Sequence, residues 1–246
     1  MNLRNVLSLL AAAIALQACA YYTTPGQAAS LPSLTEPDIA DAMARKPGAQ
    51  FPAHIVIARV QAAGYQSESN EGYGSGTYSV LTTRDFETEE DFARLGAMPD
   101  VAGLGPLNRF LLPARLGSVR ELRSAAAQLR GDILLLYTVD TVFRTEGKAI
   151  GPMQLVTLGF LRNQNARVTA TCATIFVDVR TGFVHGIAEG TAVEEQKASV
   201  WGTNRVIEEA RFAAERRAFQ AAIGEVEKAW NNIRKQQANV AANATQ

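Results

Sequence analysis

The sequence predicts an α+β fold of the α/β sandwich type, in which helices pack on a mainly antiparallel sheet and the chain ends in a long helix. Three observations carry this prediction. Segments rich in β-branched and apolar residues are typical of strands, at His54–Val60, Asp132–Thr145 and Arg167–Val179. Between the first two, Ser118–Gly131 has apolar residues at helical spacing. Asn204–Gln236 repeats an apolar residue every seven positions and contains no proline.

The chain begins with the pattern of an export signal. Arg4 supplies a positive charge, Val6–Leu16 is an uncharged apolar run, and a small residue, Ala18, precedes Cys19. This order predicts a signal peptide over residues 1–18. A helix that spans a bilayer needs roughly 20 apolar residues, so this shorter run does not predict a stable membrane anchor.

The segment Leu16-Gln17-Ala18-Cys19 resembles the bacterial lipobox. In lipoproteins the cysteine of this motif is diacylated, and the signal peptidase then cuts in front of it. The resemblance implies lipid attachment at Cys19 and cleavage between Ala18 and Cys19. Acyl chains contribute about 0.8 kcal/mol for each buried methylene, so two or three chains anchor a protein durably. The alternative is an ordinary signal peptide that ends in a cysteine by chance.

The residue after the lipobox bears on the location of the protein. In enterobacterial lipoproteins, an aspartate after the lipidated cysteine retains the protein in the inner membrane. Ala20 stands at that position, which favours the outer membrane. We therefore expect a protein of the cell envelope that is anchored to the membrane through N-terminal acyl chains and faces the periplasm.

Charge and cysteine content narrow the expected partners. The chain has 24 basic and 24 acidic residues, and removal of residues 1–18 takes away only Arg4 among them. The resulting net charge of about −1 gives no long-range field that would attract nucleic acid.

If Cys19 is acylated, Cys172 has no disulfide partner, and its place within a predicted strand indicates a buried, inert thiol. The alternative for Cys172 is a redox or nucleophilic role.

Residues 19–52 predict a flexible tether between the lipid and a globular domain. The segment is rich in Ser, Thr, Gln and Ala, and it contains Pro25, Pro32, Pro37, Pro47 and Pro52. A short helix within it is indicated by Thr35 as N-cap, with Ile39 and Met43 on one face. Residues 53–237 then predict a single globular domain.

The first half of the domain alternates predicted elements with irregular segments. His54–Val60 predicts a strand, and Gly72–Gly76 predicts a mobile loop because its glycine spacing fits neither the dinucleotide fingerprint nor a P-loop. Thr88-Glu89-Glu90-Asp91 has the pattern of a capping box before a short helix. Residues 98–113 are rich in Gly and Pro and predict irregular chain, with one short strand at Arg109–Leu112.

A helix and a buried strand follow. Ser118 is the predicted N-cap of the helix, and Gly131 is predicted to end it. The unbroken apolar run Ile133–Leu136 indicates a central strand that is covered on both faces.

Three further strands are predicted at Met153–Arg162, Arg167–Val179 and Phe183–Val193. A turn at Asn163–Asn165 joins the first two strands as a hairpin. Gly182 permits the positive φ that a tight turn into the last strand requires.

The last predicted element is a helix over Asn204–Gln236, capped by Thr203, with a disordered tail at residues 238–246. At 1.5 Å per residue the helix is about 50 Å long, which exceeds the width of a sheet of about four strands. We therefore expect its distal apolar side chains to contact a partner as well as the core: Ile223, Val226, Trp230 and Ile233. Alternatively, this stripe folds back on the helix at 118–130 and on the tether.

Two segments resemble bacterial envelope lipoproteins. Ala126–Tyr137 is similar to the helix-to-strand junction of the curli-secretion lipoprotein superfamily, and Phe176–Val184 is similar to its Asp-Val-x-Thr-Gly hairpin. From about residue 54 to 235, the order and spacing of elements more closely resemble the rhombotarget lipoproteins. Both resemblances imply an α/β fold with an antiparallel sheet, and they bring no catalytic residues.

The chain departs from both families. Its C-terminus lacks the Gly-Gly and hydrophobic tail that rhombosortase recognises. No segment alternates over enough residues to predict the pore-forming hairpins of the curli-secretion proteins.

Few residues in the sequence indicate a catalytic or metal-binding site. The two histidines, His54 and His185, are too few for a His-rich metal site, and no Gly-x-Ser-x-Gly elbow accompanies them. Asp140 and Asp178 interrupt two predicted strands and are candidates for an acid/base pair if they face each other across the sheet. Alternatively, Asp140 faces solvent and Asp178 stabilises a turn. We expect no metal, no cofactor and no catalytic residue.

Two functions from different classes follow from these expectations. The first is a membrane-anchored periplasmic lipoprotein that is not an enzyme and binds another protein, or itself, as an accessory of envelope assembly or secretion. The second is a small periplasmic hydrolase that uses carboxylates. An acidic cleft around Asp140 and Asp178 favours the hydrolase, whereas a shallow surface with exposed apolar residues favours the binding protein.

Overall fold

The computed structural model of the chain describes residue 28 and residues 39–145, 148–149, 165–197 and 204–244. The helices are α1 (Ile39–Ala44), α2 (Glu89–Gly96), α3 (Val119–Gln128) and α4 (Asn204–Ala244), and a 3-10 helix spans Arg109–Leu111. The strands are β1 (Ala53–Ala62), β2 (Ser75–Gly76), β3 (Tyr78–Leu81), β4 (Val101–Pro106), β5 (Arg115–Leu116), β6 (Ile133–Thr145), β7 (Lys148–Ala149), β8 (Asn165–Asp178) and β9 (Val184–Lys197). In these ranges, no helix is long and apolar enough to cross a membrane.

Seven strands form one mixed, mostly antiparallel sheet. β3, β1, β6, β8 and β9 lie side by side in that order, while β4 pairs with β1 and β7 pairs with β6. β6 is central. Its first four residues, Ile133–Leu136, pair in parallel with β1, and its whole length pairs in antiparallel with β8. β8 and β9 form a long hairpin whose turn contains Gly182 at φ +74°, as predicted. The predicted α+β fold class is confirmed.

Helices cover both faces of the sheet, so each face has its own core. α2 and α4 lie on one face, where Phe92, Phe176 and Trp230 are buried together. α3 lies on the other face, where Leu122 packs among aliphatic side chains of β1 and β6. All four residues of Ile133–Leu136 are buried, which confirms the prediction of a strand covered on both sides.

Two capping boxes begin the short helices. The Thr88 side chain accepts a hydrogen bond from the Asp91 N–H, and the Asp91 carboxylate accepts one from the Thr88 N–H at 2.9 Å. Ser118 and Glu121 make the equivalent pair at the start of α3. These bonds satisfy N–H groups that a helix leaves without an intrahelical acceptor, and they confirm both predicted helix starts.

The end of α3 differs from the prediction. Arg130, rather than Gly131, adopts the left-handed conformation, at φ +57°. The Gly131 N–H donates to the Ala126 carbonyl at 2.9 Å, in the pattern of a Schellman motif. Gly131 is required for another reason: a Cβ there would lie 2.6 Å from the Val56 side chain of β1. The glycine thus lets the helix end pass close to the sheet.

The predicted short strand at Arg109–Leu112 is wrong. Residues 109–111 form the 3-10 helix, and the Asn108 side chain caps it by accepting a bond from the Phe110 N–H at 2.9 Å. The strand in this region is β4, which lies earlier, within the Gly- and Pro-rich stretch. Its partner β1 is about fifty residues away, and such a distant pairing leaves no local pattern.

The segment Gly72–Gly76 was predicted as a mobile loop, yet its backbone is hydrogen-bonded. Tyr73 pairs with Val80, and β2 pairs in parallel with β5. At Gly76, with φ +120°, a Cβ would lie 2.4 Å from the Leu116 carbonyl oxygen. The glycines therefore allow close approach of two backbones in addition to unusual dihedral angles.

Several predictions lie outside the described residues. These are the signal peptide, the lipobox with Ala18 and Cys19, the predicted strand Met153–Arg162, and the N-caps Thr35 and Thr203. Of the predicted turn Asn163–Asn165, only Asn165 is described, as the first residue of β8.

α4 continues beyond its predicted end. It reaches Ala244 rather than Gln236, so most of the segment predicted as a disordered tail is helical. The residues after Gln236 include several alanines and no glycine or proline. Each helical residue added to an existing helix makes one more hydrogen bond, so a sequence with good helix formers and no breaker continues the element.

The distal side chains predicted to contact a partner are buried in the domain instead. Ile223, Val226, Trp230 and Ile233 all belong to the core between α4 and the sheet. The prediction failed because it assumed short strands. β8 and β9 have 14 residues each, about 46 Å at 3.3 Å per residue, and this length matches most of the helix.

The end of the predicted tether belongs to the domain. The Gly48 and Ala49 N–H groups donate to the Asp178 carboxylate at 2.6 and 2.7 Å. Phe51 stacks on Trp230 with ring centroids 5.4 Å apart. Residues before the predicted boundary at residue 53 are therefore already part of the domain's packing. In α1, which was predicted within the tether, Ile39 and Met43 are exposed.

Candidate functional site

A crevice opens where β1 changes its partner strand. His54–Ile57 pairs in parallel with β4, whereas Arg59–Ala62 pairs in antiparallel with β3. The last bond to the β4 side runs from the Leu107 N–H to the Ile57 carbonyl at 2.9 Å. Because the two partners diverge, a gap remains beside Ala58. Ligands commonly bind in open α/β sheets where neighbouring strands diverge at their carboxyl ends.

We call this gap the switch pocket, and its volume is about 160 Å³. Its apolar walls are Ile57, Ala58, Leu81, Phe92, Pro106 and Leu107. Its polar lining consists of Thr82, Thr83, Arg84 and Asn108, together with the buried side chains Arg59, Glu87 and Tyr137. A pocket with apolar walls and a few polar groups is the usual form of a small-molecule site.

Arg59 is the central charged residue of the pocket. It follows Ile55 and Ile57 at alternate positions of β1, so it points into the core layer beneath α4. A buried guanidinium is costly unless it is paired and hydrogen-bonded. Arg59 Nη1 lies 2.6 Å from Asp85 Oδ1 and 3.4 Å from Glu87 Oε1.

Aromatic side chains complete the surroundings of Arg59. Its guanidinium carbon lies 4.3 Å from the ring centroid of Phe86, a cation–π distance. The Tyr137 hydroxyl donates to Glu87 Oε1 at 2.8 Å. Burial, and then the neighbouring Glu87 carboxylate, raise the pKa of Tyr137 well above its ordinary value, so Tyr137 acts as a hydrogen-bond donor.

α4 contributes the second half of a buried charge network. Arg211 bonds to Glu208 and to Glu215, three residues before it and four after it on the helix. Glu215 Oε2 lies 2.7 Å from Arg211 Nη1 and 3.7 Å from Arg59 Nη2. Glu215 thereby links the helix network to β1, and Thr141 of β6 donates to its other oxygen at 2.7 Å.

Carboxylates outnumber guanidinium groups in this network. The members are Arg59, Asp85, Glu87, Glu208, Arg211 and Glu215. Burial raises the pKa of Glu215 against the opposing influence of Arg211 and Arg59. For Arg59, burial alone would lower the pKa, but the surrounding carboxylates outweigh this effect and raise it. The site therefore keeps Arg59 charged, and its described members are four carboxyl groups and two guanidinium groups.

Two buried atoms of the network have no hydrogen-bond partner among the described residues: Arg59 Nε and Asp85 Oδ2. An unsatisfied buried donor or acceptor costs about 1–3 kcal/mol. Each such group in a native structure requires an explanation, for example backbone or side-chain strain, a functional role, or a bound water or ion. Arg59, whose Nε–H is the unpaired donor, also lines the switch pocket.

Asp140 and Asp178 do not form the predicted acid/base pair. Asp140 is opposite Thr171 in the β6–β8 ladder, whereas Asp178 is opposite Ile133. Seven residues of β8 separate the two positions, about 23 Å at 3.3 Å per residue. Asp140 is exposed, as its alternative interpretation predicted.

Asp178 stabilises local structure, in agreement with its alternative interpretation. One carboxylate oxygen accepts from the Arg180 and Thr181 N–H groups of the β8–β9 turn, both at 2.9 Å. The other accepts from Gly48 and Ala49 and lies 3.3 Å from His185 Nε2. Burial alone would raise the pKa of Asp178, but the hydrogen bonds from His185 and the backbone lower it.

Of the other predicted candidates, the structure brings only His185 close to Asp178. His54 is exposed at the start of β1, and His185 lies beside Asp178. Cys172 is buried as predicted, and burial raises the pKa of its thiol. Across the described ranges, no three His, Cys, Asp or Glu side chains are arranged to hold a metal ion.

Sequence reasoning missed the network around Arg59. Two signals were present: an arginine within the apolar strand His54–Val60, and the spacing of Glu208, Arg211 and Glu215 along one helix face. A charged residue in a buried strand requires partners. The sequence does not show which of the many acidic residues provide them.

The chain resembles a solved structure but matches no known family. No family model and no curated protein matches the chain. One solved structure that it resembles is a hypothetical protein of Chlamydia trachomatis, with 12% sequence identity and a TM-score of 0.31. The match covers 71% of this chain and 96% of the other.

Proposed function

We propose that the protein is a lipid-anchored component of the cell envelope that faces the periplasm and acts by binding another protein. The observation that carries the proposal is the lipobox-like Leu16-Gln17-Ala18-Cys19 after an apolar run of signal-peptide length. Ala20 favours the outer membrane. The protein belongs, on this proposal, among envelope lipoproteins of the assembly or secretion type.

The first described residue supports a short connection between the lipid and the domain. Ala28 forms an antiparallel bridge with Gln61, at the end of β1. The nine residue-to-residue steps from Cys19 to Ala28 reach at most about 32 Å when fully extended. An acylated Cys19 would therefore hold the Gln61 end of the sheet close to the membrane surface.

A sheet edge that no described strand covers supports the protein-binding part of the proposal. β9 is 14 residues long, and no described strand pairs with its outer edge. Proteins usually shield such an edge or use it to bind an extended segment of a partner. Ile187 is 71% exposed and Val193 is 42% exposed, on the face opposite Gly190, which packs on α4. We infer that an extended partner segment with apolar side chains adds to β9.

Cys19→Ser should abolish lipid anchoring. The variant should remain uncleaved or soluble and should no longer partition into detergent with the membrane fraction, whereas the wild type should carry an acyl mass addition. Fractionation and intact-mass analysis measure both effects. Cys172→Ala is the matched control, because it removes the only other cysteine and should leave anchoring unchanged. Wild-type protein without acyl addition, fractionating like the serine variant, would refute the assignment.

A photo-crosslinking side chain at Ile187 should join the protein to a partner in native membranes. The same side chain at Phe110, which is 92% exposed and distant in sequence, serves as control and should not. Val193→Lys should remove the Ile187 crosslink without lowering the melting temperature, because it places a charge on an exposed site of the same strand. A crosslink that survives this change, or that forms equally well at Phe110, contradicts binding at the β9 edge.

A further inference from the structure

We propose that the switch pocket binds a small uncharged molecule that combines an apolar body with a hydrogen-bond acceptor such as an amide or hydroxyl group. This inference is independent of lipid anchoring and of the β9 edge. It rests on the unpaired donor of Arg59, the carboxyl groups of the buried network, and the size and lining of the pocket.

The unpaired Arg59 Nε–H donor indicates that the ligand carries a hydrogen-bond acceptor. Arg59 Nε–H is buried without a partner among the described residues, although the two terminal nitrogens of the same guanidinium reach Asp85, Glu87 and Tyr65. Arg59 lines the switch pocket, so an acceptor atom held there can complete its hydrogen bonding. Thr82, Thr83 and Asn108 are further polar residues that line the pocket at its more exposed side.

The carboxyl groups around Arg59 disfavour an anion as the ligand. The network around Arg59 already holds more carboxylates than guanidinium groups, and a further negative charge would be repelled. The second pocket arginine, Arg84, is engaged: Nη1 lies 2.5 Å from Glu89 Oε1, and its guanidinium carbon lies 4.0 Å from the Phe92 ring centroid. A neutral acceptor satisfies Arg59 without this repulsion.

The volume and walls define the rest of the molecule. An apolar cavity of about 150 Å³ holds one benzene molecule, and the switch pocket has a volume of about 160 Å³. This space suits a ligand of roughly six to eight non-hydrogen atoms. Since Ile57, Leu81, Phe92, Pro106 and Leu107 form much of the wall, the part of the ligand away from its acceptor should be aliphatic.

Isovaleramide and isovalerate are matched probes, because they have the same branched body and differ in the charge of the head group. NMR titration of the full chain should show saturable shifts of the Arg59 side-chain Nε–H and of the Ala58 and Arg59 backbone amides with isovaleramide. Isovalerate should bind at least tenfold more weakly. Equal or tighter binding of isovalerate overturns the neutral-ligand assignment, and the absence of shifts with either probe overturns the proposal.

Two tryptophan variants locate the binding. Thr83→Trp places a large side chain at the exposed side of the pocket and should weaken isovaleramide binding at least tenfold. Thr191→Trp makes the same change at an exposed position of β9, away from the pocket, and should leave the affinity unchanged. If both variants bind isovaleramide as the wild type does, the probe occupies another place and the proposal fails. Matching amide spectra away from the mutated residues show that each variant is folded.

Discussion

Asp178→Asn should lower the free energy of unfolding by about 3 kcal/mol and release the segment that precedes β1. The carboxylate is fully buried and accepts four backbone N–H bonds, two from the β8–β9 turn and two from Gly48 and Ala49. Hydrogen bonds to a charged acceptor contribute more than neutral ones, about 1.5–3 kcal/mol each. An asparagine of the same size has one oxygen, and its NH₂ group would face N–H donors.

Chemical denaturation measures the loss, and hydrogen exchange at the Gly48 and Ala49 amides measures the release. Asp140→Asn is the matched control: it makes the same change on the neighbouring strand β6 at an exposed residue, and should alter stability by less than about 0.5 kcal/mol. If the two variants are equally stable, the carboxylate of Asp178 does not hold these segments together.

The stability difference between the wild type and Asp178→Asn should depend on pH. The pKa of Asp178 is lower in the folded protein than in the unfolded chain, so the folded state favours the ionised carboxylate. Its contribution is therefore fully present above the unfolded pKa of about 3.9 and declines as the pH falls below that value. The two unfolding curves should approach each other below about pH 4. A difference that stays constant down to pH 2.5 would show that ionisation of Asp178 is not the source.

Gly190→Ala should destabilise the protein by about 3 kcal/mol or more, although alanine is ordinarily no worse than glycine in a strand. A Cβ at Gly190 would lie 2.2 Å from the Ala222 nitrogen and 2.7 Å from the Ala218 oxygen of α4. These are backbone atoms, so relief requires the helix to move away from β9. Overpacking that forces the backbone to shift typically costs about 1–3 kcal/mol and occasionally more, and contacts as short as 2.2 Å place this variant at the upper end.

Thermal and chemical unfolding measure the effect of the Gly190 change. Gly105→Ala in β4 is the control, because a Cβ there has no atom within 4 Å. That variant should be neutral or slightly stabilising, since glycine costs roughly 0.5–1 kcal/mol relative to alanine within a strand. Equal melting temperatures for the two variants would mean that α4 can withdraw from β9 at little cost.

The candidate site could be predicted only in part. Arg59 stands out in the sequence as a charge within an apolar strand, and Arg211 has acidic residues at helical spacing. Their connection through Glu215 depends on where α4 crosses β1 and β6. The pocket itself arises because β1 exchanges β4 for β3 at Ala58, and no local pattern records such an exchange.

The sequence by itself determined the features that depend on neighbouring residues. The capping boxes at Thr88 and Ser118, the tight turn at Gly182 and the buried run Ile133–Leu136 each follow from the chemistry of a few consecutive side chains. Their hydrogen bonds and periodicity are local, so the pattern is complete within the segment.

Only the tertiary structure decided what the long helix covers. The apolar stripe from Ile223 to Ile233 predicted burial but not its partner, because that partner is set by the lengths of β8 and β9. The small side chains of Ala218 and Ala222 allow the helix backbone to approach the strand backbone closely at Gly190. Such contacts join segments far apart in the chain, and their energy depends on the register and length of the whole sheet, which no single segment encodes.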